Sequence, residues 1–221
     1  MDIEVCRENK VMVTSRKERD KQLRKSDILR AAEHVFSEKG YYKATMQDIA
    51  REAQYATGTV YLYFKDKDEL YFSLLEGRLR TLFIQVREKT NSVEGAKSKL
   101  EAFVYECMSF FEENRDFFRI YDSERGASRR SIKCRMAQSQ SKSEIFQYIT
   151  ELIRLAQKDN LVRDDLSAEN IGDILSSLLT GAIISRIEEE SGKAGSLKEM
   201  SGFILDIFFY GTSKKQLTGL V

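Results

Sequence analysis

Proline is absent from this chain, and glycine supplies only 12 of its 221 residues. Nothing of the proline kind therefore breaks a helix from within. Histidine occurs once, at His34, too little for an imidazole-built metal site, and neither a metal nor a cofactor is expected. The three cysteines, Cys6, Cys107 and Cys134, are widely spaced and odd in number. That fits a reducing compartment better than a disulfide framework. Long hydrophobic runs are missing too: residues 203–210, the longest apolar stretch, are interrupted by Asp206 and are too short to cross a bilayer. No charged-then-apolar leader opens the sequence, so a cytoplasmic location without a membrane partner is expected. Charge of one sign is also lacking. With a net charge of +1, bulk electrostatics lend no support to nucleic-acid binding, and only the arrangement of charge can.

What is present is apolar residues at helical spacing. Hydrophobic residues make up 42% of the chain, enough for a real core in one domain or in a small and a larger one. Sustained period-two alternation is absent, so the chain reads as all α. Ile28, Ala32, Val35 and Phe36 form a first stripe that stops at Lys39 and Gly40, with glycine where a left-handed cap is wanted. Thr45 with Asp48 three residues on is a capping pattern that opens a second, short helix, and Met46, Ile49, Ala50 and Ala53 fall on one side of it. After a turn at Gln54 and Tyr55, Val60 and Phe64 share a face of a third helix. Thr57, Thr59, Tyr61, Leu62 and Tyr63 are left on the other side, rich in hydroxyls and rings. Asp66 and Glu69 open a fourth helix running through Leu70, Leu74, Leu75, Leu79, Leu82 and Val86 to about Thr90.

Two short helices broken by a tight turn are the layout of a helix-turn-helix that reads DNA. Ahead of it, Arg16, Lys17, Arg19, Lys21, Arg24 and Lys25 outnumber Glu18 and Asp20, a basic arm able to follow phosphates. Residues 1–15 read equally well as a solvated tail. Further stripes are Leu100, Phe103, Val104, Cys107, Met108 and Phe111; then Ile145, Phe146, Ile149, Leu152, Ile153 and Ala156; then Ile171, Ile174, Leu175, Leu178, Leu179, Ala182 and Ile183. Residues 91–95 read as a loop, and the polar stretch 122–144 contains a break around Gly126. A last apolar helix covers 203–210 and opens near Ser196, with Glu199 at capping-box spacing. The expected organisation is a flexible basic arm over residues 1–20, a helix-turn-helix domain over 21–66, and a larger helical domain over 67–221.

The order Gly40, Thr45, Ile49, Ala50, Ala53, Thr57, Gly58, Thr59, Val60, Tyr61, Tyr63, Phe64, Lys67, Glu69, Leu70 resembles the TetR family of bacterial transcriptional regulators. The likeness spans roughly residues 23–75. It implies a three-helix DNA-binding unit with its third helix in the major groove, a homodimer, a palindromic double-stranded DNA operator, and a sensor role, with effector binding and dimerisation by the helical domain over 67–221. Beside that resemblance, the residue chemistry suits the task. Thr57 and Thr59 suit phosphates or base edges, Leu62 suits a thymine methyl, and Tyr61 and Tyr63 position more than they specify. Thr45, Gln47 and Lys67 are expected at backbone phosphates. Two positions depart from the family pattern. Gln54 stands where such turns usually carry glycine, at a cost of roughly 1 kcal/mol if the backbone there is left-handed. Tyr55 replaces the usual aliphatic residue, and either covers the turn or reaches phosphates.

In the second half, Gly172, Ser176, Ser177, Gly181 and Ser185 would let another helix come close, and the final helix is apolar nearly all round. Such a helix must be covered by its own domain or by a second subunit; the resemblance favours a homodimer through the last two helices. Phe72, Leu75, Phe103, Cys107, Phe111, Phe118, Phe146 and Ile149 are either plain core or the wall of a pocket for a small hydrophobic effector, which the sensor role implies. The stretch 114–119 is similar to one in regulators of lipid metabolism and points to an acyl-type effector, with Tyr105, Arg119, Tyr121, Gln147 and Arg186 as candidate polar anchors. Cys107 reads as inert core. Cys134, beside Arg129, Arg130, Lys133 and Arg135, is either redox sensitive or a surface thiol of no consequence. Glu-x-x-His spacing, a glycine-rich phosphate loop and a Ser/His/Asp set are all missing, so an enzyme is not expected. The expected function is a ligand-responsive repressor, the alternative being the same fold used for protein docking without an operator.

Overall fold

A computed structural model of the protein describes residues 16–123, 139–187 and 196–212. Among these the chain forms nine helices and no strand: α1 Arg16–Lys43, α2 Met46–Glu52, α3 Thr57–Tyr61, α4 Lys67–Asn91, α5 Ala96–Glu113, α6 Arg115–Ser123, α7 Gln140–Lys158, α8 Ala168–Ile187 and α9 Leu197–Thr212. The fold class is the all-α one that the apolar spacing predicts.

Helix α1 kinks at Gly40, whose φ of 70° and ψ of 162° are open to glycine and strained for other residues. At its other end the helix starts at Arg16, so residues 16–20 are helical where a flexible arm was expected. Straight-chain Arg, Lys and Gln are good helix formers, and Gln22 donates to the Glu18 carboxylate one turn back at 3.2 Å. The first buried residue is Ile28, which leaves three turns of helix ahead of the core. Helix α4, about 37 Å long at 1.5 Å per residue, is the spine of the molecule. Its first turns pack with α1, and its later turns pack with α5 and α7.

A single apolar core runs through both of the regions expected as separate domains. No break in packing falls at the expected boundary of 66/67. Tyr71 on α4 is fully buried, its ring set edge-on against Phe36 at 5.1 Å and Tyr41 at 4.8 Å. Its hydroxyl donates to the carbonyl of Ile120 on α6 at 2.6 Å, which satisfies its polar atom within a largely apolar cluster. Outside this cluster, Arg78 on α4 grips the Glu33 carboxylate on α1, with Nε 3.0 and 3.1 Å from its two oxygens and Nη2 also bonded to Oε2. These contacts join α1, α4 and α6 where the N-terminal unit meets the body.

Helix ends in the body are tied across the fold. Ser139 caps α7 by accepting from the Lys142 amide at 3.1 Å and donates to Glu76 on α4 at 2.5 Å, while the Ser141 amide donates to the same carboxylate at 2.9 Å. Burial opposes ionisation of Glu76, but the hydrogen bonds from Ser139 and Ser141 outweigh it and hold the group below its ordinary value. At the start of α9 the Ser196 amide donates to Glu199 at 3.2 Å, and the Ser196 hydroxyl donates to Glu112 on α5 at 2.8 Å. One of the small residues expected to face a partner is used internally instead. A Cβ on Gly172 would meet Thr150 Oγ1 at 3.4 Å and Ile149 and Ile153 at 3.7 Å, ordinary contact distances, so Gly172 faces α7 of the same chain.

Candidate nucleic-acid interface

The second helix begins as its sequence dictates. Thr45 is extended (φ −120°, ψ 157°), its Oγ1 accepts from the Asp48 amide at 3.1 Å, and the Asp48 carboxylate accepts from the Thr45 amide at 3.1 Å, a complete capping box. Asp48 also bonds Lys39 of α1 at 2.8 Å and Arg51 at 3.1 Å. Hydrogen bonds from Lys39 first, then from Thr45, lower its carboxyl to about 2. The side of α2 bearing Met46, Ile49 and Ala50 is buried, while Thr45 and Gln47 stand exposed at its opening.

The turn that follows is a Schellman motif. The Tyr55 amide reaches back to the Ala50 carbonyl at 2.9 Å and the Gln54 amide to the Arg51 carbonyl at 3.1 Å, the 6→1 and 5→2 bonds that satisfy the last carbonyls of a helix. This geometry needs a left-handed residue at the position between, and Gln54 provides it with φ 57°. The turn therefore keeps its shape at the expected cost of a non-glycine residue. Tyr55 covers it: the ring packs against the core and the hydroxyl donates to Asp27 Oδ2 at 3.1 Å. Burial, then the bond to Asp27, raises its phenol above the ordinary value. Of the two sequence readings for Tyr55, packing is the one realised here.

Helix α3 is shorter than the sequence suggests, five residues ending at Tyr61. Val60 and Phe64 are nevertheless both buried, because a 3.0 Å bond from the Phe64 amide to the Val60 carbonyl continues the winding beyond the helix. Thr57 and Thr59 are half-exposed and Tyr63 is half-buried against the core. Tyr61 is 51% and Leu62 82% exposed. An open leucine thus stands beside an open tyrosine at the end of a short, well-braced element.

Lys67 departs from expectation. Its ammonium donates to the carbonyls of Tyr41 at 2.7 Å and Ala44 at 2.6 Å, with Tyr42 at 3.4 Å, and lies 4.4 Å above the Tyr41 ring. These acceptors lie in the last turn of α1 and the link that leads to α2. Tyr41 completes this corner: it is buried, stacks on Phe36 at 5.8 Å, and donates its hydroxyl to Asp68. Neither Tyr41 nor the Glu33–Arg78 pair was among the residues expected to matter. The aromatic doublet after Gly40 was the only local signal for the first, and the 45-residue separation left none for the second.

In the body, Leu75, Phe103, Cys107, Phe111, Phe118 and Ile149 are buried, whereas Phe72 and Phe146 are half-buried. Phe111 lies against Phe118 at 5.5 Å and Phe117 at 6.1 Å. These side chains close on one another. Two clefts of about 400 and 360 Å³ are present, and neither is lined by any of the eight expected effector residues. The larger is charged, between Arg30, Glu33 and Arg78 on one side and Glu112, Asp116 and Phe117 on the other. The Cys107 thiol is pushed up to about 12 by burial, with the Glu106 charge adding to the effect, as suits an inert core thiol. Among the polar anchors, Tyr105 borders the smaller cleft, Arg119 and Gln147 are exposed, and Arg186 bonds the Met200 sulfur at 2.8 Å. The Tyr121 side chain and Cys134 lie outside the described residues.

On the last two helices an apolar strip is open. Phe203, Ile207 and Tyr210, four and three residues apart, share a side of α9 with Phe203 61% and Tyr210 82% exposed, and Ile174 is exposed on α8. On α8 Ser177, Gly181 and Ser185 are exposed as well.

Residues 28–74 match the model of a family described as bacterial regulatory proteins, tetR family. The HTH-type transcriptional regulator HbdR of Aromatoleum sp. (strain CIB) is 37% identical over 87 residues, covering 39% of this chain and 37% of that protein. The fatty acid metabolism regulator protein of Bacillus subtilis (strain 168) is 36% identical over 73 residues, covering 33% and 38%. The chain thus spans less than two fifths of the length of these curated relatives. Beyond the N-terminal unit the likeness is one of fold. FadR from Bacillus subtilis, solved in complex with stearoyl-CoA, superposes with a TM-score of 0.77 at 18% identity over 84% of this chain and 98% of that one. The fatty acid degradation regulator FadR from Bacillus halodurans superposes with a TM-score of 0.79 at 18% identity, over 85% and 95%.

Proposed function

We propose, from the premise that this chain carries the N-terminal domain of the tetR family of bacterial regulatory proteins, that it is a ligand-responsive, DNA-binding transcriptional regulator acting as a repressor. The observation that carries the reading is the open Tyr61–Leu62 end of α3, held in place by a capping box, a Schellman turn and two buried anchors, Val60 and Phe64. With α3 in the major groove, Thr57, Thr59, Tyr61, Leu62 and Tyr63 face the duplex, and Thr45 and Gln47 meet the backbone. Lys67 we assign to bracing: by satisfying carbonyls at the end of α1 and in the link to α2 it sets the angle at which α2 and α3 are presented.

Dimerisation through α8 and α9 covers the strip of Phe203, Ile207, Tyr210 and Ile174, and the small residues Ser177, Gly181 and Ser185 let the facing helices approach. Two α3 helices then meet a palindromic operator about one helical turn apart. The effector we infer is of acyl type, as in the stearoyl-CoA complex of the Bacillus subtilis relative. Its chain would enter among Leu75, Phe103, Cys107, Phe111, Phe118 and Ile149, between the half-buried Phe72 and Phe146. Because those residues are closed on one another, occupancy must part α4, α5 and α7, and α4 carries the N-terminal unit with it. Effector and operator then favour different arrangements, and each weakens the other by the same factor.

Duplexes selected from a random library by the purified protein test this reading. Binding should be sequence specific, should weaken on adding stearoyl-CoA, and should be lost in a Thr59→Ala, Tyr61→Ala double variant that keeps its melting temperature. Retention of specific binding by that variant would refute the assigned interface.

A further inference from the structure

The side of α1 that buries Ile28 does not end where the core ends. At 100° per residue, Lys17, Lys21, Arg24 and Lys25 all fall within about 60° of the Ile28 direction, along the three exposed turns that precede it. Arg16, Arg19 and Leu23 fall on the opposite side. None of the four stripe residues makes an ion pair among the described residues.

The stripe begins beside the DNA-facing element. Lys25 Nζ lies 5.7 Å from the centre of the Phe64 ring, immediately after α3, and Arg24 is within electrostatic reach of the Tyr55 hydroxyl in the turn before it. From there the helix leads past the α2–α3 unit for about 12 Å between Lys25 and Lys17. A rigid cationic row of that length, starting beside the α2–α3 turn, spans about three to four phosphates of one strand when measured along the duplex axis at 3.4 Å per charge.

We infer that the exposed start of α1 is a preformed helical extension whose Lys17, Lys21, Arg24 and Lys25 bind duplex DNA phosphates outside the segment read by α3. The inference rests on the DNA-binding reading above and adds to it a longer operator footprint and a second, sequence-independent contact. Being helical, the extension adds its contacts without the ordering cost that a disordered basic tail incurs on binding. The contacts carry no sequence information; they raise affinity and its dependence on salt.

The test varies both partners, with the full chain and a duplex selected from a random library. Replacing Lys17, Lys21, Arg24 and Lys25 together by glutamine removes charge and keeps helix propensity. Each phosphate contact contributes about 0.9 to the slope of log affinity against log salt. Four contacts per half-site therefore make the wild type lose about 150-fold more affinity per half-site than the variant between 50 and 200 mM salt. Wild-type affinity should also fall when the flanks of the duplex are trimmed, whereas the variant should be indifferent to trimming. An Arg16→Gln, Arg19→Gln variant, altered on the opposite side, should behave as the wild type. Equal wild-type affinity for trimmed and untrimmed duplexes, or an unchanged salt slope in the four-site variant, would overturn the inference and leave α3 binding intact. An equal loss of slope in the opposite-side variant would overturn the stripe as the contact surface. Failure of the wild type to select any duplex would instead remove the DNA-binding reading and this inference with it.

Discussion

Replacing Gln54 by glycine should stabilise the protein. The residue sits at the left-handed position of the Schellman turn, with φ 57°, where an L-residue costs roughly 1–2 kcal/mol through the contact of Cβ with the following carbonyl. Its side chain is exposed, so little packing is forfeited. Against the relief stands the greater freedom of glycine in the unfolded chain, about 0.4–1 kcal/mol. The difference leaves a net gain of about 0–1.6 kcal/mol for Gln54→Gly, centred at about 0.8. Alanine is the control, because it retains Cβ and the strain while removing the rest of the side chain; Gln54→Ala should be no more stable than the wild type. Urea denaturation followed by circular dichroism reads the difference, as a shift of the midpoint at unchanged slope. In a thermal scan a gain of 1 kcal/mol corresponds to about 2–4 °C for a chain of this size. Should the glycine variant prove less stable than the alanine variant, the turn is not under left-handed strain and the reasoning fails.

Three other outcomes are expected. Glu33→Gln breaks the pair with Arg78 where α1 meets α4 and should cost about 1–2 kcal/mol in urea, between the exposed and buried limits for ion pairs; a change below about 0.3 kcal/mol would show the pair to be idle. Asp48 is held down to about 2 against an ordinary 3.8, so its ionised form favours folding above that ordinary value, and the benefit is lost as pH falls toward 2. The stability gap between wild type and Asp48→Asn at pH 7 should accordingly close by pH 2, and a gap constant with pH would contradict the assignment. Cys107, in a Cys6→Ser, Cys134→Ser background, should resist a thiol-specific disulfide reagent at pH 8 in the folded protein and react fully in urea; rapid labelling of the folded protein would refute its burial.

Parts of the fold written in short-range chemistry are legible in the sequence. Thr45 and Asp48 are three residues apart, the capping box they form needs nothing from elsewhere, and both of its bonds are present. Gly40, Asp66 and the opening of α9 at Ser196 are local in the same sense. The long amphipathic helices are likewise legible because burial repeats every turn. The limits of α3 are not, since whether Phe64 belongs to the helix or to the turn after it depends on where the core can receive its ring. Helix α6 does not stand out as a separate element, lying against a polar stretch whose periodicity is weak.

Side-chain direction marks the division most sharply. Local spacing alone specifies an all-α chain and places a lysine, a left-handed turn and an open hydroxyl-and-ring surface on a helix-turn-helix. Packing in three dimensions settles the rest: Lys67 turns inward to carbonyls 23 to 26 residues away, Gly172 faces α7 of its own chain, and Glu33 grips Arg78. The reason is physical. A cation goes to the nearest unsatisfied oxygens in space, and which oxygens those are is set by how helices pack, a property that neighbours in sequence do not encode.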